Sequence, residues 1–391
     1  MADAGLDFDL TEDQQDFQSY LRGFVDEKLP KDFCREIEAR TEFPRDLWQI
    51  LSDAQLHGIG IPEEYGGQGG GIMEQMLVAQ ELSRNLAGLV WIWGTTAFAG
   101  SKAIGHYGTE EQKQRWLPDI AAGRALYSIA LTEPDGGTDV LGAMRTRAER
   151  VEGGWRVNGA KIWSTMSHVA DQLLLVARTQ PDPDKPSRGI TVFICDAKTE
   201  GITATPIPKL GMRSLGSCEV KFDNVFIPDE NVLGEVDQGW RLLSETLNSE
   251  RIMVAAQCVG ALDGVIADML SYAQQREAFG QPIGRFQAVQ HMIANAYIGF
   301  QTSQLLTYKA AWLQSKNLPC GVEATAAKVF ASENVVKAAD DGIQILGGYG
   351  YSLEYDMQRY WRDMRLYRIA PINNEMGRNF VAESLGLPRS F

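Results

Sequence analysis

A chain of 391 residues, 44% hydrophobic and 23% charged, is long enough for two or three domains with real cores. Its formal net charge of −14 argues against a nucleic-acid partner, because phosphates require a basic face, but a few local cations suffice to hold a small anion. No apolar run approaches the roughly 20 residues that span a bilayer. The start, Met1-Ala2-Asp3-Ala4, is acidic without a signal or transit pattern, so the expectation is a cytoplasmic protein with no membrane span. Five scattered cysteines show no metal spacing and no paired framework, and read as reduced, mostly buried thiols.

Residues 1–125 read as an N-terminal helical domain. Thr11-Glu12-Asp13-Gln14 is a helix start, with a Thr cap and acids in the first turn. Pro44-Arg45-Asp46-Leu47, Gly71-Ile72-Met73-Glu74 and Thr109-Glu110-Glu111-Gln112 are further starts, and Ile61 to Gly67 is a turn-rich loop. Trp91 and Trp93, in a stretch rich in glycine and alanine, are either core side chains or the wall of a pocket.

Residues 126–235 have a β texture. Leu126 to Leu131 is an apolar, β-prone run that breaks at Pro134, Gly136 and Gly137, where missing Cβ atoms let backbone amides approach a ligand. Thr132 and Thr138 add hydroxyls there. Met144 to Arg150, a turn at Glu152-Gly153-Gly154, and Trp155 to Thr165 form a hairpin. Apolar runs at 173–178, 189–194 and 219–227 complete a small antiparallel barrel or sandwich. From 236 to 391 long helical patterns return, at Gly239 to about Gln275, Phe286 to about Ser315 and Val322 to about Leu346, which favours a four-helix bundle. The fold class is therefore α+β.

Within the first long helix, Leu243, Leu247 and Val254 share a face with Glu250, so a carboxylate interrupts an apolar stripe. Burial there raises its pKa and makes it a proton acceptor near neutral pH; the alternative is a salt-bridged glutamate at the solvent edge.

Four motifs, in order, bear a resemblance. Ala130-Leu131-Thr132-Glu133-Pro134 with Gly136-Gly137-Thr138-Asp139 is followed by Lys161-Ile162-Trp163-Ser164-Thr165. Arg276-Glu277-Ala278-Phe279-Gly280 and Gln344-Ile345-Leu346-Gly347-Gly348 come after. From about Leu10 to about Ala382 the chain resembles the acyl-CoA dehydrogenases. The resemblance implies FAD, held on one side by Ile129, Leu131, Thr132, Gly137, Thr138, Trp163 and Thr165. From a neighbouring subunit it implies Arg276, Phe279, Phe286, Gln287, Gln344, Gly347 and Gly348 on the diphosphate and adenine, hence a homodimer or homotetramer. Asn373 and Glu375 would lie near the flavin.

The family's catalytic base is a glutamate either on this long helix, as in isovaleryl- and long-chain members, or in a later Glu-Gly-Thr loop. Here that loop reads Pro371-Ile372-Asn373, so Glu250 is the candidate base, with Glu375 a minor rival. Proline has no N–H, so an oxyanion contact to the thioester would pass to Ile372. Thr138, Asn248 and Arg251 would meet the acyl-CoA; Arg251 could equally form a surface ion pair with Glu245 or Asp237. The implied reaction is α,β-dehydrogenation of an acyl-CoA to the trans-2-enoyl-CoA, with electrons passing to electron-transferring flavoprotein. The alternatives are a same-fold flavin oxidase or monooxygenase, a lyase-like relative, or a non-catalytic flavoprotein.

Overall fold

The computed structural model describes residues 8–182 and 184–389. The chain forms two compact, interleaved units. One is made from Met1–Glu36, Gly71–Val90 and Asn248–Phe391, the other from Ile37–Gly70 and Trp91–Leu247. The N-terminal block of 1–125 thus contributes to both.

The described part of the first unit is helical. Helix Glu12–Lys28 starts in a capping box: the Thr11 hydroxyl accepts from Gln14 N–H while Gln14 Oε1 accepts from Thr11 N–H. It packs on helix Ile72–Leu86, where Glu74 accepts from Gly71 N–H at 2.6 Å. That second helix is buried nearly all round, so it is a core element and not an amphipathic cover. Arg22 clamps it by pairing with Glu81 at 3.0 Å and with Asp263 at 2.9 Å. At Gly260 a Cβ would sit 1.8 Å from the Gln80 carbonyl oxygen, so only glycine lets the two backbones come this close.

The three long helices span Gly239–Gln275, Gln287–Ser315 and Gly321–Leu346, each within a residue or so of expectation. The last two pack together, and the shorter helices Met357–Met364 and Asn374–Ser384 pack on Gly321–Leu346. Among the described residues Gly239–Gln275 alone is long and apolar enough to cross a membrane. Most of its apolar window is buried in protein, which makes it a core helix.

The second unit is built on an eight-stranded sheet: β1 Tyr127–Ala130, β2 Arg147–Val151, β3 Gly154–Thr165, β4 Gln172–Arg178, β5 Ile190–Asp196, β6 Ile202–Ile207, β7 Ser217–Pro228 and β8 Val232–Leu233. The order is β6-β7-β3-β2-β4-β5-β8, with β1 added on β4. Most pairs are antiparallel, but β1 runs parallel to β4, Tyr127 opposite Gln172, and β2 meets β4 in parallel at Arg147–Arg178. The hairpin turns at Glu152-Gly153, with Gly153 at φ +73°. Its first strand starts at Arg147 and not Met144, because the Glu133 carboxylate takes the N–H groups of Arg145 and Thr146. Leu117, Ile120, Tyr127, Leu174, Val192 and Ile194 form the core between sheet and helices, joined by Leu242 and Leu243.

Trp93 belongs to this unit's interior: it is 1% exposed and its indole N–H donates to Leu56 O at 2.9 Å. Trp91 is half-buried and packs on Phe98. The five cysteines are all buried free thiols.

His57 is buried with its ring 4.0 Å from that of Trp48. Burial drives its pKa down to about 3, against a backbone hydrogen bond to Trp48. The unfolded chain therefore takes up the proton first, and stability present above pH 6.5 is lost as pH falls. At pH 5 the loss is about 2 kcal/mol. His57→Leu is expected to flatten this slope, read as urea unfolding free energies at pH 7 and pH 5.

Candidate active site

Two clusters collect the site residues, one in each unit. In the sheet unit, β1 ends in the Thr132–Asp139 loop, and three hydrogen bonds fasten it to β3. Ile162 N–H donates to Thr132 O at 2.8 Å, Ser128 Oγ donates to Thr165 O at 2.7 Å, and Lys161 Nζ donates to Leu131 O at 2.9 Å. Thr132, Trp163 and Thr165 are thereby brought together from sequence positions some thirty residues apart.

The side-chain directions come from an irregularity. In a regular strand Lys161 and Trp163 would point the same way. The β3–β7 register slips between Lys161 and Ser164, and this bulge reverses the phase. Lys161 is fully buried, while the Trp163 indole is 56% exposed on a backbone held at φ +60°. A bulky residue in the left-handed region is strained, and such strain persists where the surroundings over-determine it.

Lys161 is held by Glu133 at 2.8 Å. Burial pulls the lysine down to about 8 against the attraction of Glu133. Burial also opposes charge on Glu133. Lys161 and the Arg145 and Thr146 donors outweigh it and hold that carboxyl below its usual range. The pair is ionised at neutral pH and locks the loop from beneath.

Gly137 and Thr138 lie exposed on the loop, and Ile129 and Leu131 are half-buried. At Gly137 a Cβ would meet nothing within 4 Å, so the chain's own packing does not require glycine there.

In the helical unit Glu250 is partly buried on the long helix. Burial pushes its carboxyl up to about 7, against the pull of Arg251 and Lys328. Of its expected stripe, Leu243 and Val254 are buried and Leu247 is half-buried. Arg251 is 7% exposed; it donates to Asn248 Oδ1 at 3.3 Å and lies 5.3 Å over the Phe380 ring. Its buried Nε has no partner among the described residues. Burial lowers its pKa, partly offset by Glu250.

The Pro371-Ile372-Asn373 stretch leads into helix Asn374–Ser384, which Asn373 caps by accepting from Met376 N–H at 2.8 Å. Glu375 is exposed in the first turn, an environment that does not make it a desolvated base. Lys328, given no role by the sequence, is fully buried and donates to Ile372 O at 2.5 Å and Asn374 Oδ1 at 2.8 Å. Its signal was available: a lone cation inside Ala324–Ser332, otherwise apolar or small.

A cavity of ≈ 530 Å³ in the same unit is lined by Arg276, Ile283, Gly347, Gly348 and neighbours. The Arg276 guanidinium fork suits a diphosphate, and the exposed Gly347-Gly348 backbone, with no Cβ in the way, permits close approach, although Gly347 N–H itself donates to Ile343 O at 2.9 Å. Phe279 is 95% exposed and meets the edge of Phe286 at 6.1 Å; Gln287 and Gln344 are exposed at helix termini. Among the described residues no His, Cys, Asp and Glu cluster could hold a metal ion. In the sheet unit, hydroxyls at Thr132 and Thr165 beside the exposed Trp163 indole suit a planar ring system with polar edges; in the helical unit, the Arg276 cavity by itself suits a phosphate group.

Sequence models of the acyl-CoA dehydrogenase N-terminal, middle and C-terminal domains match residues 11–124, 128–225 and 237–386. The chain is 35% identical to the mitochondrial 2-methylacyl-CoA dehydrogenase of Solanum tuberosum, over 96% of this chain and 91% of that one. It is also 35% identical to the mitochondrial isovaleryl-CoA dehydrogenase of the same plant, over 95% and 90%. The solved butyryl-CoA dehydrogenase of Megasphaera elsdenii superposes with a TM-score of 0.92 at 33% identity, covering 97% of this chain and 100% of that one.

Proposed function

The chain belongs to the acyl-CoA dehydrogenase family, and on that premise we propose that Glu250 is the base that removes the α proton of an acyl-CoA thioester as it is dehydrogenated to its trans-2-enoyl-CoA. The family is FAD-dependent, and the chain is an oxidoreductase and a flavoprotein. FAD, when bound, supplies the hydride acceptor.

The observation that carries the proposal is the Glu250 carboxyl, pushed up to about 7 by burial on a helix. Such a group is charged in a useful fraction near neutral pH and binds the α proton well. Thr132, Thr138, Trp163 and Thr165 would hold the flavin ring, with Ile129, Leu131 and Gly137 shaping the backbone around it. Arg276, Phe279, Phe286, Gln287, Gln344, Gly347 and Gly348 would hold the diphosphate and adenine, and Asn373 and Glu375 would lie near the ring. Arg251 and Asn248 would meet the CoA portion. Ile372 N–H, the first amide after Pro371, would donate to the thioester oxygen as negative charge develops there.

Electron-transferring flavoprotein is the proposed acceptor. A homodimer or homotetramer is proposed on the strength of large apolar side chains left exposed in the helical unit, Phe279 at 95%, Tyr351 at 84% and Leu385 at 78%.

The test is an anaerobic screen of acyl-CoA thioesters, branched and straight, against the purified holoprotein. Bleaching of the flavin by at least one thioester, followed by slow reoxidation in air, is expected. No bleaching by any thioester, or fast reoxidation with peroxide release, would overturn the reading. Arg276→Ala is expected to weaken FAD retention by about 10- to 100-fold, the worth of one charge-assisted contact to phosphate. Ultrafiltration of diluted holoprotein reads it as FAD in the filtrate.

A further inference from the structure

We propose that Lys328 is a positioning residue for the proton abstraction: its ammonium tethers the Pro371–Asn374 turn and sets one positive charge within electrostatic reach of Glu250. The inference rests on the reading of Glu250 as base and Ile372 as oxyanion donor.

Lys328 is 0% exposed on helix Gly321–Leu346. A buried ammonium is costly unless its donors are satisfied, and a methionine of similar length would fill the space at less cost. What the amine adds is a pair of charge-assisted hydrogen bonds, to Ile372 O and to Asn374 Oδ1. Asn374, itself 1% exposed, is held in turn by its amide, which donates to Ser332 Oγ at 3.0 Å and to Glu333 Oε1 at 3.2 Å. One helix therefore grips the turn at two successive points. Because Pro371 has no N–H, the amide that must be aimed belongs to Ile372, the residue whose carbonyl Lys328 holds.

The charged and titratable groups acting on Lys328 are Cys258, Arg251, Glu375 and Glu250. Burial lowers the amine to about 8, so it is mostly charged at neutral pH. In that state it favours the charged form of Glu250.

The test compares wild type, Lys328→Met, Lys328→Arg, Asn374→Ala and Glu250→Gln as holoproteins. Amide hydrogen exchange of the segment Ile369–Met376 is expected to quicken about tenfold or more in K328M and N374A, without change in the Gly239–Gln275 helix. With isovaleryl-CoA as the probe, the flavin-bleaching rate is expected to fall about 10- to 100-fold in K328M, with the half-saturating concentration little changed. The acid limb of its pH profile should move up by about half a pH unit or more, because a cation that favours the carboxylate is gone. K328R should return the limb to its wild-type place, and N374A should slow bleaching without moving it.

Unchanged exchange in Ile369–Met376 for both K328M and N374A overturns the tether, whatever the probe does. An unmoved acid limb in K328M overturns the electrostatic part. If K328M does not accumulate as folded protein, N374A and K328R decide: wild-type exchange in N374A sinks the proposal. Wild-type bleaching by E250Q would sink the base assignment alone, since the exchange result stands without it.

Discussion

Glu250→Gln is expected to abolish bleaching of the flavin by any thioester that reduces the wild type, with a loss of about 10²- to 10⁴-fold. The amide is isosteric, so the flavin spectrum and substrate binding should persist. Stopped-flow absorbance at the flavin maximum measures the loss, and a variant that bleaches at the wild-type rate removes Glu250 from the mechanism. The pH dependence adds a second signature. Burial places the carboxyl at about 7, so the wild-type bleaching rate should climb as pH rises through that value. Stability runs the other way. The ordinary value is 4.5 and the folded one about 7, so between them the folded chain holds a proton that the unfolded chain has released. Stability therefore falls as pH rises through this window, by up to about 3 kcal/mol less what residual solvent access screens. The glutamine carries no such penalty, and at pH 8 the variant should unfold at an equal or higher urea concentration than the wild type.

Glu133→Ala should cost about 3–5 kcal/mol of folding stability and most of the bound flavin. The substitution strands the Lys161 ammonium, 0% exposed, with Leu131 O as its remaining partner. It also takes the acceptor from two backbone donors, Arg145 N–H at 2.6 Å and Thr146 N–H at 2.9 Å. Glu133→Gln keeps one acceptor oxygen where the carboxylate offers two, so it leaves fewer of these donors stranded and should lose less. The pair Lys161→Met with Glu133→Gln should lose less than the sum of the two single changes, because neither leaves a lone buried charge once both are made. Urea unfolding with FAD content after dialysis reads all four proteins. A loss under about 1 kcal/mol in Glu133→Ala would mean that the loop is held by something other than this pair.

Several elements were legible in order along the chain. The Thr11 and Thr109 capping boxes lie where a hydroxyl stands three residues before a glutamine, and the long helices follow from apolar periodicity sustained over many turns. Glu250 stood out because a carboxylate in an apolar stripe is anomalous within a single helix. What escaped is non-local. Lys161 is quoted in a motif yet has no role until Glu133 is found beneath it. The outward turn of Trp163 depends on the register of β3 against β7, and Gly260 on the carbonyl of Gln80. Lys328 stands in the sequence as a lone cation among apolar and small residues, but what it holds is set by the turn at Ile372, more than forty residues on.

By itself, then, the amino-acid sequence determined the succession of helices and strands, the glycine loop after β1 and the family, because propensity, periodicity and ordered motifs act over short stretches. Only the tertiary structure decided which backbones come close enough to demand glycine, which strand pairs in parallel, and which charges are withdrawn from water and must find partners. Those outcomes depend on residues dozens to hundreds of positions apart, and a buried charge reports its partner only when both are in place.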